Sequence, residues 1–157
     1  MKVVVPFAGP FWPIHAVRLA LKQDGVGAAF HHMTHENDYY DLIARLWSEG
    51  EGFIVVEHDI VVWPGGLQEL ANCDEPWCTL PYYCSVGWIE DGLGCTKFSD
   101  KMIQKFPHFL KEPFPACCAH TRHYCGLDRL IAHRAETLGL KPHVHQPGVS
   151  NLNEKWT

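Results

Sequence analysis

Apolar residues in the first sixty positions follow two patterns, short continuous runs and longer stretches that repeat every three or four residues. Residues 3–5 (Val-Val-Val) and 53–56 (Phe-Ile-Val-Val) are continuous runs, the pattern of strands buried on both faces of a sheet. Ile14, Val17 and Leu21 have the spacing of one helical face. The chain is therefore predicted to begin with a strand, a loop and a helix.

A second strand and a second helix are predicted before the run at residues 53–56. The strand covers residues 27–32 and follows Gly25, which is expected to end the first helix. The helix lies between Tyr39 and Gly50, where apolar positions again repeat at three and four. This alternation indicates an α/β fold with an open, mainly parallel twisted sheet, flanking helices and right-handed crossovers.

The second half of the chain is less regular. A Pro/Gly-rich, aromatic region covers residues 63–94, and a short helix is predicted after Ser99. A longer helix is predicted from about 122 to 138, with Gly139 as its natural end. A last short strand is predicted at residues 142–145.

Length, composition and charge narrow the class of protein. The 157 residues, 46% of them hydrophobic, suffice for one core, and we expect a single domain over residues 1–157. The net charge of −5 and the pI near 6.1 argue against a general binder of nucleic-acid phosphates. No stretch reaches the roughly 18 apolar residues that cross a bilayer, and the start lacks a signal-peptide pattern. We therefore expect a cytoplasmic protein with no membrane span.

Seven cysteines and eleven histidines raise the question of disulfides or zinc. An odd number of cysteines without an export signal favours reduced thiols over a disulfide framework. Four residues separate Cys73 from Cys78, a spacing that is only weak evidence for a zinc site. No Cys-x-x-Cys pair is present. Buried free thiols are the favoured interpretation, and a structural zinc ion is the alternative.

Two carboxylates follow directly after the run at residues 53–56. If the strand continues, Glu57 and Asp59 lie on one side of it and His58 lies on the other. Ligands of open α/β sheets bind beyond the carboxyl ends of the strands, where oxygen ligands suit Mg²⁺ or Mn²⁺ together with nucleotide phosphates. The alternative is that both acids only end the strand and meet solvent.

The acidic motif and its surroundings resemble the A-type (GT-A fold) glycosyltransferases, in particular the small family-2-like enzymes found in phage genomes. The resemblance lies in Trp47, in residues 57–66, 73–78 and 94–99, and in the helix that carries Asp128. It covers most of the chain. It implies a compact, Rossmann-like nucleotide-binding fold and a nucleotide-diphosphate sugar as the donor.

The resemblance also implies roles for residues at the first strand and at the motif. In the wider fold, the second acid of the motif holds the metal ion that bridges the donor diphosphate. That acid is Asp59 here, and Glu57 would contact the ribose, or the metal through water. Pro6, Phe7 and Gly9 would cradle the nucleotide base, with Phe7 as a stacking surface and Gly9 allowing close backbone approach. Phe7 as a core residue is the alternative.

Asp128 is the expected catalytic base. Inverting transferases of this fold place a carboxylate near the start of a helix, across the cleft from the metal. Asp128 adjoins the inward-facing Leu127 and Ile131, so partial burial is expected to raise its pKa towards a useful value. The alternative is an exposed acid that pairs with Arg129 or Arg134.

A further metal ligand, usually a histidine, comes from a late strand or loop in many A-type enzymes. His143 and His145 share one face of the last predicted strand, and His145 is the expected ligand. Residues 150–153 carry asparagines where relatives tend to carry histidines, so Asn151 is an alternative ligand. Gly94 belongs to a turn at which the backbone is expected to approach the donor sugar.

The expected reaction moves a sugar, with inversion, from a nucleotide-diphosphate sugar to a hydroxyl acceptor such as modified DNA, a protein or a glycan. A homo-oligomeric partner is a candidate for completing the acceptor site, and the host cytoplasm is the expected location if a phage encodes the chain. Five residues of the irregular region are expected to contact the sugar or the acceptor: Tyr82, Tyr83, Trp88, Glu90 and Asp91. The alternative is that they only pack the loops of this region.

Two other classes of function stay open. A nucleotidyl- or phosphoryl-transferring enzyme also places carboxylates and a metal ion at a sheet edge, but residues 9–13 lack the lysine of a Walker-type loop. A non-catalytic module that binds a nucleotide sugar is the third interpretation.

Overall fold

A computed structural model of the protein describes residues 1–9, 12–111 and 126–152. The strands within these ranges are β1 (Lys2–Phe7), β2 (Ala29–His32), β3 (Phe53–Val56), β4 (Ile60–Val62), β5 (Trp77–Thr79), β6 (Tyr82–Cys84), β7 (Gly87–Ile89), β8 (Cys95–Phe98), β9 (His143–Val144) and β10 (Val149–Asn151). The helices are α1 (Trp12–Gln23), α2 (Asp38–Ser48), α3 (Gly66–Asn72), α4 (Asp100–Lys105) and α5 (Leu127–Thr137). Of these helices, none combines the length and the apolar character that crossing a membrane requires.

A six-stranded sheet forms the centre of the fold. Its order is β2-β1-β3-β8-β5-β9, and β8 runs antiparallel to both of its neighbours while the remaining pairs are parallel. The parallel pairs of β1 with β2 and with β3 arise because α1 and α2 connect these three strands as crossovers. The predicted α/β class with a mainly parallel sheet is confirmed.

Alternating strand residues supply a separate core to each face of the sheet. Val3, Val5 and Ile54 belong to a buried cluster with α1 and α3 on one face. Val4 and Val55 belong to a second cluster with α2, α4 and α5 on the other face. Helices on both faces explain why these strands are continuous apolar runs in the sequence.

The predicted helix ends agree with the structure where it describes them. α1 ends just before Gly25 (φ 70°) and α5 just before Gly139 (φ 69°), and both glycines have the left-handed conformation that terminates a helix. Ser99 caps α4, since its hydroxyl accepts a hydrogen bond from the Met102 amide at 3.2 Å. The predicted beginning of the last helix near Arg122 falls outside the described residues.

Two small antiparallel pairs were not predicted from the sequence. β6 and β7 form a hairpin with a two-residue loop, and β10 pairs with β4. In the second pair Asn151 lies opposite Ile60, and the Leu152 amide donates to the Asp59 carbonyl at 2.7 Å. The chain after β9 therefore returns to the segment that carries the acidic motif.

Candidate functional site

The acidic motif lies in a tight turn directly after β3. The Ile60 amide donates to the Glu57 carbonyl at 3.0 Å, and the Glu57 amide donates to the Gly94 carbonyl at 2.8 Å. The prediction that side chains alternate at residues 57–59 assumed that the strand continues through them. This assumption is wrong, because the strand ends at Val56 and the backbone turns. Glu57 and Asp59 nevertheless line the same cleft.

This cleft has a volume of about 450 Å³ and lies between the end of β3, the β6–β7 hairpin and the beginning of α5. The structure thereby brings together five of the predicted site residues from distant parts of the sequence: Glu57, Asp59, Tyr82, Asp91 and Asp128. The titratable residues that line it in the described part of the chain are Glu57, Asp59, Tyr82, Cys84, Asp91, Asp128 and Arg129. The cleft is strongly acidic, which is the environment that attracts a divalent cation.

Glu57 is held by a tyrosine from the neighbouring helix. The hydroxyl of Tyr39, a residue of α2 that is only 1% exposed, donates to Oε1 of Glu57 at 3.0 Å. Burial, and secondarily the charges of Asp128 and Asp59, raise the pKa of Glu57 well above its usual range, against the effect of the tyrosine hydrogen bond. A bound cation would oppose this shift and favour the carboxylate.

Asp128 lies in the first turn of α5 and faces the cleft. Its Oδ1 accepts a hydrogen bond from the Leu93 amide at 3.1 Å. Burial raises the pKa of Asp128 to about 6; the charge of Asp91 adds to this, and the Leu93 hydrogen bond opposes it. The position at the margin of the buried face, beside Leu127, agrees with the sequence-based expectation.

The position of the Tyr82 side chain explains why glycine occurs on both sides of Leu93. A Cβ atom on Gly94 would lie 2.4 Å from Cε1 of Tyr82, and one on Gly92 would lie 2.6 Å from the Tyr82 hydroxyl oxygen. Gly94 therefore has a packing role: it leaves room for the ring that forms one wall of the cleft. Gly94 itself is absent from the described lining of the cleft, where the sequence suggested a donor contact.

The residues predicted to cradle a nucleotide base lie at the carboxyl end of β1. β1 pairs with β3 in parallel, so this end lies on the same edge of the sheet as Glu57. Pro6 is buried, and the half-buried Phe7 stacks on His32 with ring centroids 4.9 Å apart. Gly9 has a φ of 74°, a backbone conformation that favours glycine.

His145 is not among the described residues that line this cleft. It follows β9, three strands from β3 in the sheet, which corresponds to about 14 Å at the usual strand spacing. Its Nδ1 lies 2.7 Å from Oε1 of Glu69, on α3. Within the described residues, the structure therefore does not bring His145, or the adjoining His143, to the cleft that Asp59 lines. The alternative ligand Asn151 lies on β10, beside the motif.

Tyr39 and Arg129 are site residues that the sequence did not identify as such. Tyr39 was assigned only to the apolar face of its helix, although a buried tyrosine hydroxyl usually requires a hydrogen-bond partner. Arg129 also lines a second cavity of about 510 Å³, which shares Asp91, Arg129 and Ala132 with the cleft. The two cavities are therefore adjacent.

Comparison with known proteins identifies the fold. No protein-family model matches the chain, and no curated protein matches it. Among solved structures, A197 from STIV has 12% identity and a TM-score of 0.59, over 95% of this chain and 83% of that chain. A glycosyltransferase involved in glycosylation of the major capsid of PBCV-1 has 7% identity and a TM-score of 0.56, over 99% and 95% of the two chains.

A Bacillus anthracis structure assigned as a glucose-1-phosphate thymidylyltransferase has 9% identity and a TM-score of 0.59, over 95% of this chain and 87% of that chain. At such low sequence identities, the similarity to these structures concerns the fold alone. The chain has a compact, Rossmann-like α/β fold of the GT-A type.

Proposed function

We propose that the protein is a metal-dependent glycosyltransferase that moves a sugar from a nucleotide-diphosphate sugar to a hydroxyl acceptor. One observation carries this proposal: Glu57 and Asp59, at the carboxyl end of a parallel strand, share a cleft with Asp128 at the beginning of a helix. In a GT-A-type fold this arrangement supplies both a cation site and a base. Open α/β sheets bind their ligands at this edge.

The carboxylates fit a hard divalent cation. Asp59 is the proposed direct ligand of Mn²⁺ or Mg²⁺, and Glu57 contacts the ion directly or through water. Asn151 is the better candidate for a further oxygen ligand, because β10 places it opposite Ile60, next to Asp59. When bound, the ion stabilises the negative charge that develops on the departing nucleoside diphosphate.

Asp128 is the proposed base for the acceptor hydroxyl. A pKa of about 6 leaves this carboxylate ionised at neutral pH and makes it a stronger proton acceptor than an ordinary aspartate. The Leu93 amide hydrogen bond to Oδ1 fixes the orientation of the carboxylate. Attack from the side of Asp128, opposite the diphosphate, gives inversion at the anomeric carbon.

Donor and acceptor have separate places in the proposed complex. Pro6, Phe7 and Gly9 receive the nucleotide base at the end of β1. Tyr83 and Trp88, which are 51% and 57% exposed on the β6–β7 hairpin, offer aromatic surface to a sugar or to an acceptor such as a glycan, a protein or a modified DNA base.

Nucleotidyl transfer is a second candidate, because the structure assigned as a thymidylyltransferase has a TM-score of 0.59, against 0.56 for the capsid glycosyltransferase. The products separate the two reactions. A nucleotidyltransferase uses a nucleoside triphosphate and a sugar phosphate and releases pyrophosphate, whereas a glycosyltransferase releases a nucleoside diphosphate from its donor.

A binding experiment tests the proposed cation site. UDP, GDP, TDP, CDP and ADP are titrated calorimetrically into the protein with Mn²⁺ present and with no added metal. We expect at least one diphosphate to bind only with Mn²⁺, and Asp59→Asn to weaken that binding by roughly tenfold or more through loss of a charged ligand. The exposed Asp41→Asn is the matched control and should bind like the wild type.

Equal metal-dependent binding by Asp59→Asn and by the wild type would contradict the assignment of Asp59. If the diphosphate bound with the same affinity in the absence of metal, that result would contradict a cation between Asp59 and the diphosphate.

A further inference from the structure

Cys73, Cys78 and His145 meet at the edge of the sheet away from the acidic cleft. Cys73 follows the last turn of α3, Cys78 is the central residue of β5, and His145 follows β9. One ligand atom from each residue lies within 4.8 Å of the others. Both thiols are free. The group is assembled by the pairing of β5 with β9, because Cys78 lies opposite His143 in that parallel pair.

The His145 ring is oriented as in a metal-bound histidine. Its side chain is only 8% exposed, and Nδ1 lies 2.7 Å from Oε1 of Glu69. Within the described part of the chain, the buried Nε2 has no hydrogen-bond partner. A carboxylate that accepts a hydrogen bond from Nδ1–H fixes the tautomer in which Nε2 carries a lone pair, which is the usual arrangement behind a metal-ligating histidine.

A buried lysine lies next to the two cysteines. Lys97 is 1% exposed, lies opposite Cys78 in the β5–β8 pair, and donates to the Cys73 carbonyl. A buried ammonium group requires nearby negative charge. Two thiolates neutralise a divalent ion, so zinc binding adds no net charge beside the buried ammonium group.

We propose that Cys73, Cys78 and His145 bind a zinc ion, with a water molecule as fourth ligand. Two thiolates and an imidazole are soft ligands that select zinc over the Mg²⁺ or Mn²⁺ of an oxygen site. Ligand atoms of a tetrahedral Zn–S site are about 3.8 Å apart for bonds of about 2.3 Å. Because 4.8 Å is the upper limit of the separations, binding requires the group to contract by at most about 1 Å, which side-chain rotation can supply. On binding, each thiol loses its proton to solvent and forms one Zn–S bond.

The zinc ion would connect three segments that lie far apart in the sequence. It links the end of α3 to β5 and to the segment between β9 and β10. β10 pairs with β4, and Leu152 then bonds to the Asp59 carbonyl. The site thus anchors the returning chain that lies next to the acidic motif, but it is separate from the proposed Mn²⁺ or Mg²⁺ site and does not depend on it.

Metal analysis and cobalt spectroscopy of the whole chain test the proposal. Protein produced in zinc-supplemented medium and purified without chelators is analysed for bound zinc by mass spectrometry. Co²⁺ is then titrated into metal-depleted protein whose folding is checked by circular dichroism. We expect one zinc per chain bound at this site, and cobalt absorption bands from thiolate coordination and a tetrahedral geometry.

Variants assign the ion to these residues. Cys73→Ser, Cys78→Ser and His145→Ala should lose the zinc and the thiolate-cobalt bands, whereas Cys84→Ser, which changes a free cysteine outside the group, should keep both. Glu69→Gln should still bind, but about 10- to 100-fold more weakly, as expected for a residue that acts through the histidine.

Three results would overturn the proposal. The first is folded wild-type protein that contains no zinc and shows no thiolate-cobalt bands. The second is zinc that persists in the ligand variants, and the third is a Cys73–Cys78 disulfide in protein prepared without air. Because the cobalt titration uses folded wild-type protein, the test remains decisive even if a variant does not fold.

Discussion

At the scale of single residues, the cleft holds carboxyl groups that are close enough to alter one another's protonation. Glu57 and Asp128 both have raised pKa values, chiefly because burial disfavours the charged form. Asp59 adds its charge to the environment of Glu57. Without a cation, these carboxyl groups lower the free energy of unfolding at neutral pH, and we expect this decrease to be measurable.

Replacing Asp128 should change the pH dependence of stability. Its pKa is about 6 in the folded protein and about 4 in an unfolded chain, so the folded state binds more protons between these values. The contribution of Asp128 to the free energy of unfolding therefore falls as the pH rises from about 4 to about 6. The free energy of unfolding of Asp128→Asn, relative to that of the wild type, should therefore increase by on the order of 1–3 kcal/mol between about pH 4 and about pH 8.

Urea unfolding at the two pH values, in buffer without divalent metal, measures this gain. Asp41→Asn, which changes an exposed acid, serves as the control and should show no such gain. A constant difference between Asp128→Asn and the wild type at both pH values would show that the pKa of Asp128 is not raised.

At the scale of elements, the sequence predicted the regular parts of the site but not its turns. The run that forms β3, and the placement of two acids at its end, followed from hydrophobic patterning alone. The turn at residues 57–60 was not foreseen, because alternation assumes that a strand continues. The β6–β7 hairpin and the polar β10 were also missed, since strands of two or three residues leave almost no period-two signal.

The β6–β7 hairpin depends on the glycines behind Tyr82. Gly94→Ala should place a Cβ in the Tyr82 ring and lower the free energy of unfolding by about 1–3 kcal/mol, the usual cost of overpacking. In a Tyr82→Ala background the same change should cost much less, because the obstructing ring is gone. Thermal or urea unfolding of the four proteins in this double-mutant cycle gives the coupling energy.

An equal cost of Gly94→Ala in both backgrounds would contradict the packing role.

At the scale of the whole molecule, one sheet carries two chemically different sites. The acidic cleft lies at the end of β3, and the thiol-histidine group lies at β5 and β9, on the far side of β8. The sequence predicted the α/β fold, because alternating apolar patterns are local. It could not place His145, which lies far from Cys78 in the sequence and meets it only through the β5–β9 pairing.

The same non-local pairing explains why the sequence could not show where its two late segments lie. His145 was the expected further ligand because many A-type enzymes supply a histidine from a late strand or loop. β9 extends the edge of the main sheet, whereas β10 is the strand that reaches the motif. The nearby polar side chain of β10 is Asn151, which the sequence offered as the alternative.

Donor hydrolysis tests the proposed transferase activity most directly. The protein is incubated with a panel of nucleotide sugars and with Mn²⁺, Mg²⁺ or no added metal, and the released nucleoside diphosphate is measured. We predict release from at least one donor only when metal is added, a decrease of roughly 100-fold or more in Asp59→Asn, and wild-type release in Asp41→Asn. Release that persists in Asp59→Asn, or a panel in which no donor is hydrolysed with either metal, would contradict a metal-dependent glycosyltransferase centred on Asp59.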